Sequence, residues 1–364
     1  MKKRVVALVM AAAMAASLAG CSSAPAETTA AAGDSQAAET EAAGGEAAEG
    51  GAASGETVKL VCPYGVGGTA DAIARKWAVV ANKHSDYNFI VENMPGGDGF
   101  QAANWYTDQD PSTTDLLMYG FGVAYRHDLG QKYQTEIVDF DRNDIYPVAD
   151  VDDRTWVLYA KTGTTLADVL AKSKEGAGIK MSGGNPLSDP HLALGSLLAK
   201  EGGKVMTVPY DGGAGQKKGL TDGEVDVFVG TTQAAIEDVE AGTITPILAF
   251  SESPLEFKGP EGAITVPGVA GEGMAPELNA AEDYTGSILP GGGFIAVRTG
   301  ADQAWIDEII EITKDVWADP EYADWIDEIM LNRNELYGED AKAFLDGGCE
   351  KAVAAFELLS GQQQ

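Results

Sequence analysis

Three stretches of this chain set glycine and small polar residues at the point where an apolar run gives way to a helical pattern. The first is Cys62-Pro63-Tyr64-Gly65-Val66-Gly67-Gly68-Thr69-Ala70-Asp71. The second is Asn93-Met94-Pro95-Gly96-Gly97-Asp98-Gly99, and the third is Ser182-Gly183-Gly184-Asn185-Pro186-Leu187-Ser188-Asp189-Pro190-His191. A strand-to-helix turn leaves the first N–H groups of the helix without intrahelical acceptors, and the positive end of the helix dipole adds to them. Gly67 and Gly68 carry no side chain that would hold a ligand away from those donors. The chemistry that suits such a turn is anion binding. One glycine turn alone is a weak signal, because an ordinary connection that binds nothing has the same composition. Several such turns opening at one sheet edge carry more weight.

Catalytic chemistry has little to work with. There are three histidines, His84, His127 and His191. His84 ends a helical pattern, His127 follows the third apolar run, and His191 sits in the first turn of a helix. No HExxH, Cys-x-x-Cys or Gly-x-Ser-x-Gly stretch is present, and the Gly-Gly-Thr-Ala-Asp turn lacks the lysine of a nucleotide P-loop. The residues therefore point to binding without catalysis and without a metal or cofactor. The formal net charge of −31 disfavours nucleic acid as a partner. It would also repel a small anion at long range, although salt screens that field within about 8 Å. An anion site must therefore be built locally, from backbone donors and helix ends.

The elements that position these turns alternate. Val58–Val61 is a buried strand, and Ile73, Trp77 and Val80 mark one face of the helix after it. Phe89–Val91, a helix over 100–106 and the strand 116–120 complete a β-α-β-α-β unit, which implies a parallel sheet with right-handed crossovers. A second β/α block follows: strands at 145–151, 156–159, 179–181, 205–208, 225–229 and 246–250, with helices after Lys161, Ser188, Ala214 and Gln233. Ser188 is placed to N-cap its helix. Chain crossings between the blocks fall near 150–153 and 251–254. The Gly-, Pro- and acid-rich stretch 256–283 has the composition of an exposed loop. After a strand at 293–297 the end is helical, with core-facing stripes through Trp305, Ile309 and Val316 and through Phe344, Val353 and Phe356.

The front of the chain is separate. Lys2, Lys3 and Arg4 precede an apolar stretch too short to span a bilayer comfortably, and Leu18-Ala19-Gly20-Cys21 follows. This resembles a bacterial lipoprotein signal in residues 1–20, with Cys21 as the lipidated residue that holds the protein at the extracytoplasmic face of the cell membrane. Residues 21–56 continue as a tether made almost wholly of Ala, Gly, Glu, Ser and Thr, with no aromatic residue and no Lys or Arg, whose composition implies disorder. Cys62 and Cys349 either pair or remain buried thiols.

Five stretches in order, 63–71, 91–99, 182–192, 208–213 and 223–228, resemble the substrate-binding proteins of tripartite tricarboxylate transporters, over essentially the whole folded part. The resemblance implies a two-lobed α/β clamp of the type II periplasmic-binding-protein fold, each lobe a mostly parallel sheet flanked by helices. Lobe 1 would comprise 57–151 and 252–364, and lobe 2 residues 152–251. It implies capture of a small organic carboxylate and its delivery to membrane subunits of such a transporter. It places Tyr64, Gly67, Gly68 and Thr69 on one side of the ligand and Ser182, Gly183, Gly184 and Ser188 on the other, with Tyr210 and Thr231 along the cleft. Val66, Gly99, Phe121 and Asn185, in the same turns and strand ends, join the candidate set, as does His191, which would order its loop. Asp71 would cap and pair with Arg75.

The sequence departs from that pattern in several places. Gly65-Val66 stand in a turn that is usually proline-rich, Ala70 replaces a threonine, Met94 replaces a basic residue and Asp98 replaces a glycine. A base lost and an acid gained imply a monocarboxylate, an amino acid or another zwitterion as ligand, with Asp98 pairing its cationic end. The competing reading of Asp98 is a solvent-facing or helix-capping acid. A sensor module serving a membrane receptor or histidine kinase is the alternative function of the same clamp.

Overall fold

The computed structural model describes residues 55–210 and 212–362. The leader, Cys21 and all but the end of the tether lie outside the described residues. No helix among the described residues is long and apolar enough to cross a membrane.

The first unit begins with β1 (Thr57–Cys62), α1 (Thr69–Ala81), β2 (Asn88–Asn93), α2 (Phe100–Thr107) and β3 (Leu116–Gly120). It continues through α3 (Phe121–Tyr133) into β4 (Ile145–Arg154). The second unit runs through β5 (Trp156–Lys161), α4 (Leu166–Ser173), β6 (Ile179–Gly183), α5 (Asp189–Lys200) and β7 (Val205–Pro209). It ends with α6 (Gly212–Asp222), β8 (Val227–Thr231), α7 (Ile236–Glu240) and β9 (Ile244–Ala249). The return comprises a hairpin, β10 (Leu255–Gly259) and β11 (Gly262–Val266), then β12 (Gly291–Arg298), α8 (Gln303–Ala318), α9 (Pro320–Glu328) and α10 (Glu339–Gln362).

Two five-stranded sheets result, ordered β2-β1-β3-β12-β4 and β7-β6-β8-β5-β9. Three strands of each are parallel neighbours. One antiparallel strand, β12 in the first and β5 in the second, separates them from the last. The sheets are thus mixed, each with a parallel half that ends in the glycine turns. Strand β1 is buried along most of its length because helices cover both of its faces, which is why it reads as an unbroken apolar run. Ile73, Trp77 and Val80 of α1 are fully buried against it, as their spacing predicts.

Only Thr155 separates β4 from β5, so the first crossing between the sheets is a single residue. The two halves are also joined by packing. Helix α10 lies against both α3 and α5, and one apolar cluster runs from Tyr119 and Phe294 through Leu345 and Cys349 to Leu194 and Met181. Ser196 of α5 and Ser287 share a hydrogen bond of 2.9 Å.

Two stretches differ from the sequence expectation. Residues 121–133 form a full helix, α3, with Val123, Ala124, Tyr125, Arg126, His127 and Leu129 all buried. A helix covered on several sides shows no polar stripe, so periodicity does not reveal it. The stretch 256–283 is not simply a loop, because it contains most of the β10–β11 hairpin and buries Phe257, Val266, Val269 and Leu278. Cys62 and Cys349 are buried free thiols.

Candidate ligand site between the sheets

A cavity of about 340 Å³ lies where the carboxyl ends of both sheets face each other. Its size falls within the range of small-molecule sites. Four helices begin on its wall. The start of α1 contributes Gly68, Thr69 and Ala70, α3 contributes Gly122, α5 contributes Ser188, Asp189 and Pro190, and α6 contributes Gly213. The N-cap positions of α1, α3 and α5 are Gly68, Gly120 and Ser188, and none of the three supplies a side-chain cap. Orphan N–H groups and the positive ends of the helix dipoles are therefore directed at one space.

The first turn is held by its own acid. Gly67 has φ +84°, a conformation that favours glycine, and its N–H donates to Asp71 Oδ2 at 2.9 Å. Asn93 Nδ2 donates to Asp71 Oδ1 at 2.8 Å, and Arg75 pairs with the same carboxylate at 2.9 Å. Burial pushes the Asp71 carboxyl up, but Arg75, the Gly67 N–H and Asn93 together hold it below its ordinary value. Asp71 thus pins the turn to α1 and to the second glycine turn, leaving the helix start free.

The third turn is fastened differently. The Ser188 hydroxyl donates to Asn185 O at 2.8 Å instead of capping α5, and the Leu187 N–H donates to Asn185 Oδ1 at 2.7 Å. Tyr125 of α3 reaches across from the first sheet's side and donates to Leu187 O at 2.6 Å. Asp98, at φ +54°, sits between Arg126 Nη1 at 2.7 Å and the more distant Asn185 Nδ2 at 3.4 Å. The Tyr125–Leu187 and Asp98–Asn185 contacts bridge the cleft. Arg126 is further occupied by Glu136, with bonds of 2.9 and 2.5 Å, and lies over the Phe100 ring. The Asp98 carboxylate therefore already has an internal cation and caps no helix, while its side chain remains 55% exposed.

Arg154, at the end of β4, lines the same space and is held by both carboxylate oxygens of Asp152, one of them at 2.5 Å. Behind it Asp150 and Asp153 contact Asn334, and Asp153 also contacts Asn332. Burial, then the neighbouring acids, pushes Asp150 up to about 7. Burial first and the Asp152 charge after it push Asp153 up to about 6. Tyr64 lines the cavity beside Gly120 and Gly99, where an added Cβ would lie 3.4 and 3.6 Å from its hydroxyl. Burial, reinforced by Asp98 and Asp189, raises the Tyr64 hydroxyl well above its ordinary range, so it remains a donor.

Asp189 is the exception in this wall. Its Oδ1 is buried and has no hydrogen-bond partner among the described residues. Burial is the main cause that pushes its carboxyl up to about 6; the Asp98 charge adds to it, and a hydrogen bond from Tyr125 and the charges of Arg154 and Arg126 oppose it.

Of the sequence candidates, the structure brings Tyr64, Gly68, Thr69, Asp98, Gly184, Ser188 and Thr231 to the cavity wall. Gly67 and Gly99 support the turns behind them. Asn185 holds the third turn and contacts Asp98. Val66 is 76% exposed at the rim. Phe121 is core, packed edge-on against Phe294 and Phe344. Ser182 is fully buried in β6, and Gly183 packs against Thr207. His191 Nδ1 pairs with Thr207 Oγ1 at 2.6 Å, and burial pulls its imidazole down to about 4. Tyr210 hydrogen-bonds Glu224 and packs on Gly219. His127 pairs with Asp128, and His84 with Asp319.

Sequence reasoning did not single out Tyr125, Arg126, Arg154, Trp156 or Asp189. The first two lie on the helix that periodicity conceals, and the next two flank the crossing. Asp189 was legible as an acid inside an anion-type turn, where a charge of the wrong sign is itself a signal. Among the described residues, no group of three or more His, Cys, Asp or Glu side chains is placed to hold a metal. A second cavity of about 470 Å³ lies behind the crossing, lined by Asp153, Thr155, Phe250, Phe344 and Lys351 among others, and no helix begins on its wall.

No family model matches the chain. In sequence it is 24% identical over 192 residues to a UPF0065 protein of Bordetella pertussis, covering 51% of this chain and 57% of that protein. It is 28% identical over 197 residues to a UPF0065 protein in the gbd 5′ region of Cupriavidus necator, covering 54% and 59%. The chain thus spans less than two thirds of the length of these curated relatives. In structure it is similar to an R. palustris protein solved with adipate, with a TM-score of 0.68, 17% identity, and 84% and 97% of the two chains covered. MatC of Rhodopseudomonas palustris, solved with bound malate, gives 0.65, 15%, 84% and 99%. A TctC solute-binding protein from Polaromonas gives 0.59, 19%, 84% and 98%. The chain has the two-lobed α/β fold of TctC-type periplasmic solute-binding proteins.

Proposed function

We propose that this protein belongs with the TctC-type proteins in function as well as fold. In this reading it is an extracytoplasmic binding protein that captures a small organic carboxylate and delivers it to a tripartite tricarboxylate-type membrane transporter. The observation that carries the reading is the convergence of uncapped helix starts from both sheets on one cavity. The neighbours solved with adipate and malate support the same ligand class. Lipidation of Cys21 would hold the clamp beside its membrane partner.

The mechanism follows from the geometry. A carboxylate entering between the sheets meets the α1 start from one side and the α5 and α6 starts from the other. Each charge-assisted hydrogen bond in a water-poor site contributes about 1.5–3 kcal/mol. Three or four of them supply about 5–12 kcal/mol before the entropy of association is subtracted, so micromolar binding, which is about 8 kcal/mol, also draws on apolar burial in the cleft. The Tyr125–Leu187 and Asp98–Asn185 contacts close the cleft. Release to a membrane partner requires them to part. The reading is tested by isothermal titration with a panel of mono-, di- and amino-carboxylates. Saturable binding of at least one of them is the expected result, and no binding by any of them would refute it.

A further inference from the structure

The cavity wall contains both signs of charge, but they are not balanced. Arg154 is held by both oxygens of Asp152, and Arg126 by Asp98 and Glu136. Both guanidinium charges thus already face carboxylates of the protein. Asp189, by contrast, presents a buried carboxylate oxygen with no donor among the described residues. The nearby Tyr125 hydroxyl donates to Leu187 O at 2.6 Å and also interacts with the Asp189 carboxyl, but Oδ1 itself is left without a partner among the described residues. A buried oxygen of this kind costs free energy unless a donor arrives.

We propose that Asp189 selects the ligand's charge: the site takes a carboxylate that also carries an ammonium group, an α-amino acid, and rejects dicarboxylates. The ligand's carboxylate lies on the start of α1 and its ammonium on Asp189. This inference rests on the carboxylate-capture reading and narrows it. Both charged ends of a zwitterion are met, whereas a dicarboxylate brings a second negative group beside the Asp98 and Asp189 carboxylates. The Asp98 role expected from the sequence passes to Asp189, because Arg126 already occupies Asp98.

The test is titration calorimetry on the folded protein with matched pairs: L-alanine against propionate, L-leucine against 4-methylpentanoate, L-glutamate against glutarate, and adipate and malate alone. At least one amino acid is expected to bind roughly tenfold or more tightly than its partner lacking the amine. Asp189→Asn is expected to remove that preference. Tighter binding of adipate, malate or glutarate than of any amino acid overturns the inference and leaves the carboxylate reading intact. An amino-acid preference that survives in Asp189→Asn also overturns it. Failure of every carboxylate to bind removes both. If Asp189→Asn does not fold, the matched pairs on the unaltered protein decide the ligand class by themselves.

Discussion

Two helix starts face each other across the cavity, and each carries an acid in its first turn. Asp71 of α1 is 2% exposed and is met by Gly67, Arg75 and Asn93. Asp189 of α5 occupies the equivalent end of the other sheet; Tyr125 interacts with its carboxyl, but its buried Oδ1 has no hydrogen-bond partner among the described residues. Residue type and helix position are nearly the same in the two cases, and only the partners differ. An acid at a helix start is structural when the fold supplies its donors. Where the fold withholds them, the acid is left for a ligand.

The largest effect that would sharpen this contrast is on binding. Gly68→Asp places a carboxylate at the mouth of α1, where an added Cβ meets only Gly65 O at 3.6 Å. Aspartate is also a good N-cap, so stability is expected to hold or rise by up to about 1 kcal/mol. Affinity for the carboxylate ligand is expected to fall by roughly a hundredfold or more, the equivalent of about two lost charge-assisted bonds. Calorimetry paired with a melting curve checks both, and undiminished affinity would remove the α1 turn from the site.

Next in size is Asp71→Ala. It leaves the Gly67 N–H and Asn93 without their acceptor and opens the first turn. Arg75 is partly exposed, so its share is discounted for solvent. A loss of about 2 kcal/mol is expected, seen as a lowered urea midpoint. Asp189→Asn is expected to do the opposite without ligand, holding stability or raising it by about 1 kcal/mol, because it removes an unpartnered buried charge. If both substitutions destabilise alike, the contrast fails.

The smallest effect is on pH dependence, and the two acids have opposite signs. Asp71 titrates below its unfolded value in the fold. Its contribution is present above that value and lost as pH falls through its folded pKa. Asp189, Asp153 and Asp150 titrate near 6, 6 and 7. Their protonated forms are favoured by the fold, so stability is fully present below about pH 4 and declines as pH rises through 6 to 7. Asp189→Asn is expected to flatten the decline between pH 4 and 7 in urea titrations, and Asp71→Ala is not.

Much of the fold was legible in the sequence because its signals are local. The apolar run of β1, the Ile73-Trp77-Val80 stripe and the glycine turns each follow from neighbouring residues. Helix α3 was hidden because Arg126 and His127 are buried with the apolar residues around them, which erases the periodicity. The site was legible in part, through Tyr64, Gly68, Thr69, Gly184 and Ser188, since turns declare themselves. Tyr210 and His191 turn elsewhere because Glu224 and Thr207 claim them. Those partners are 14 and 16 residues away, beyond any local pattern. Asp98 was visible as an acid, but Arg126, 28 residues on, decided its role.

The central claim is that the start of α1 receives the ligand's carboxylate opposite Asp189, and a crystal structure of the protein with a ligand that calorimetry shows to bind tests it most directly. The account predicts carboxylate oxygens about 2.9 Å from the first N–H groups of α1, with the ligand's amine on Asp189 Oδ1. A ligand seated in the cavity behind Thr155, or one whose carboxylate turns away from the α1 start, would contradict it.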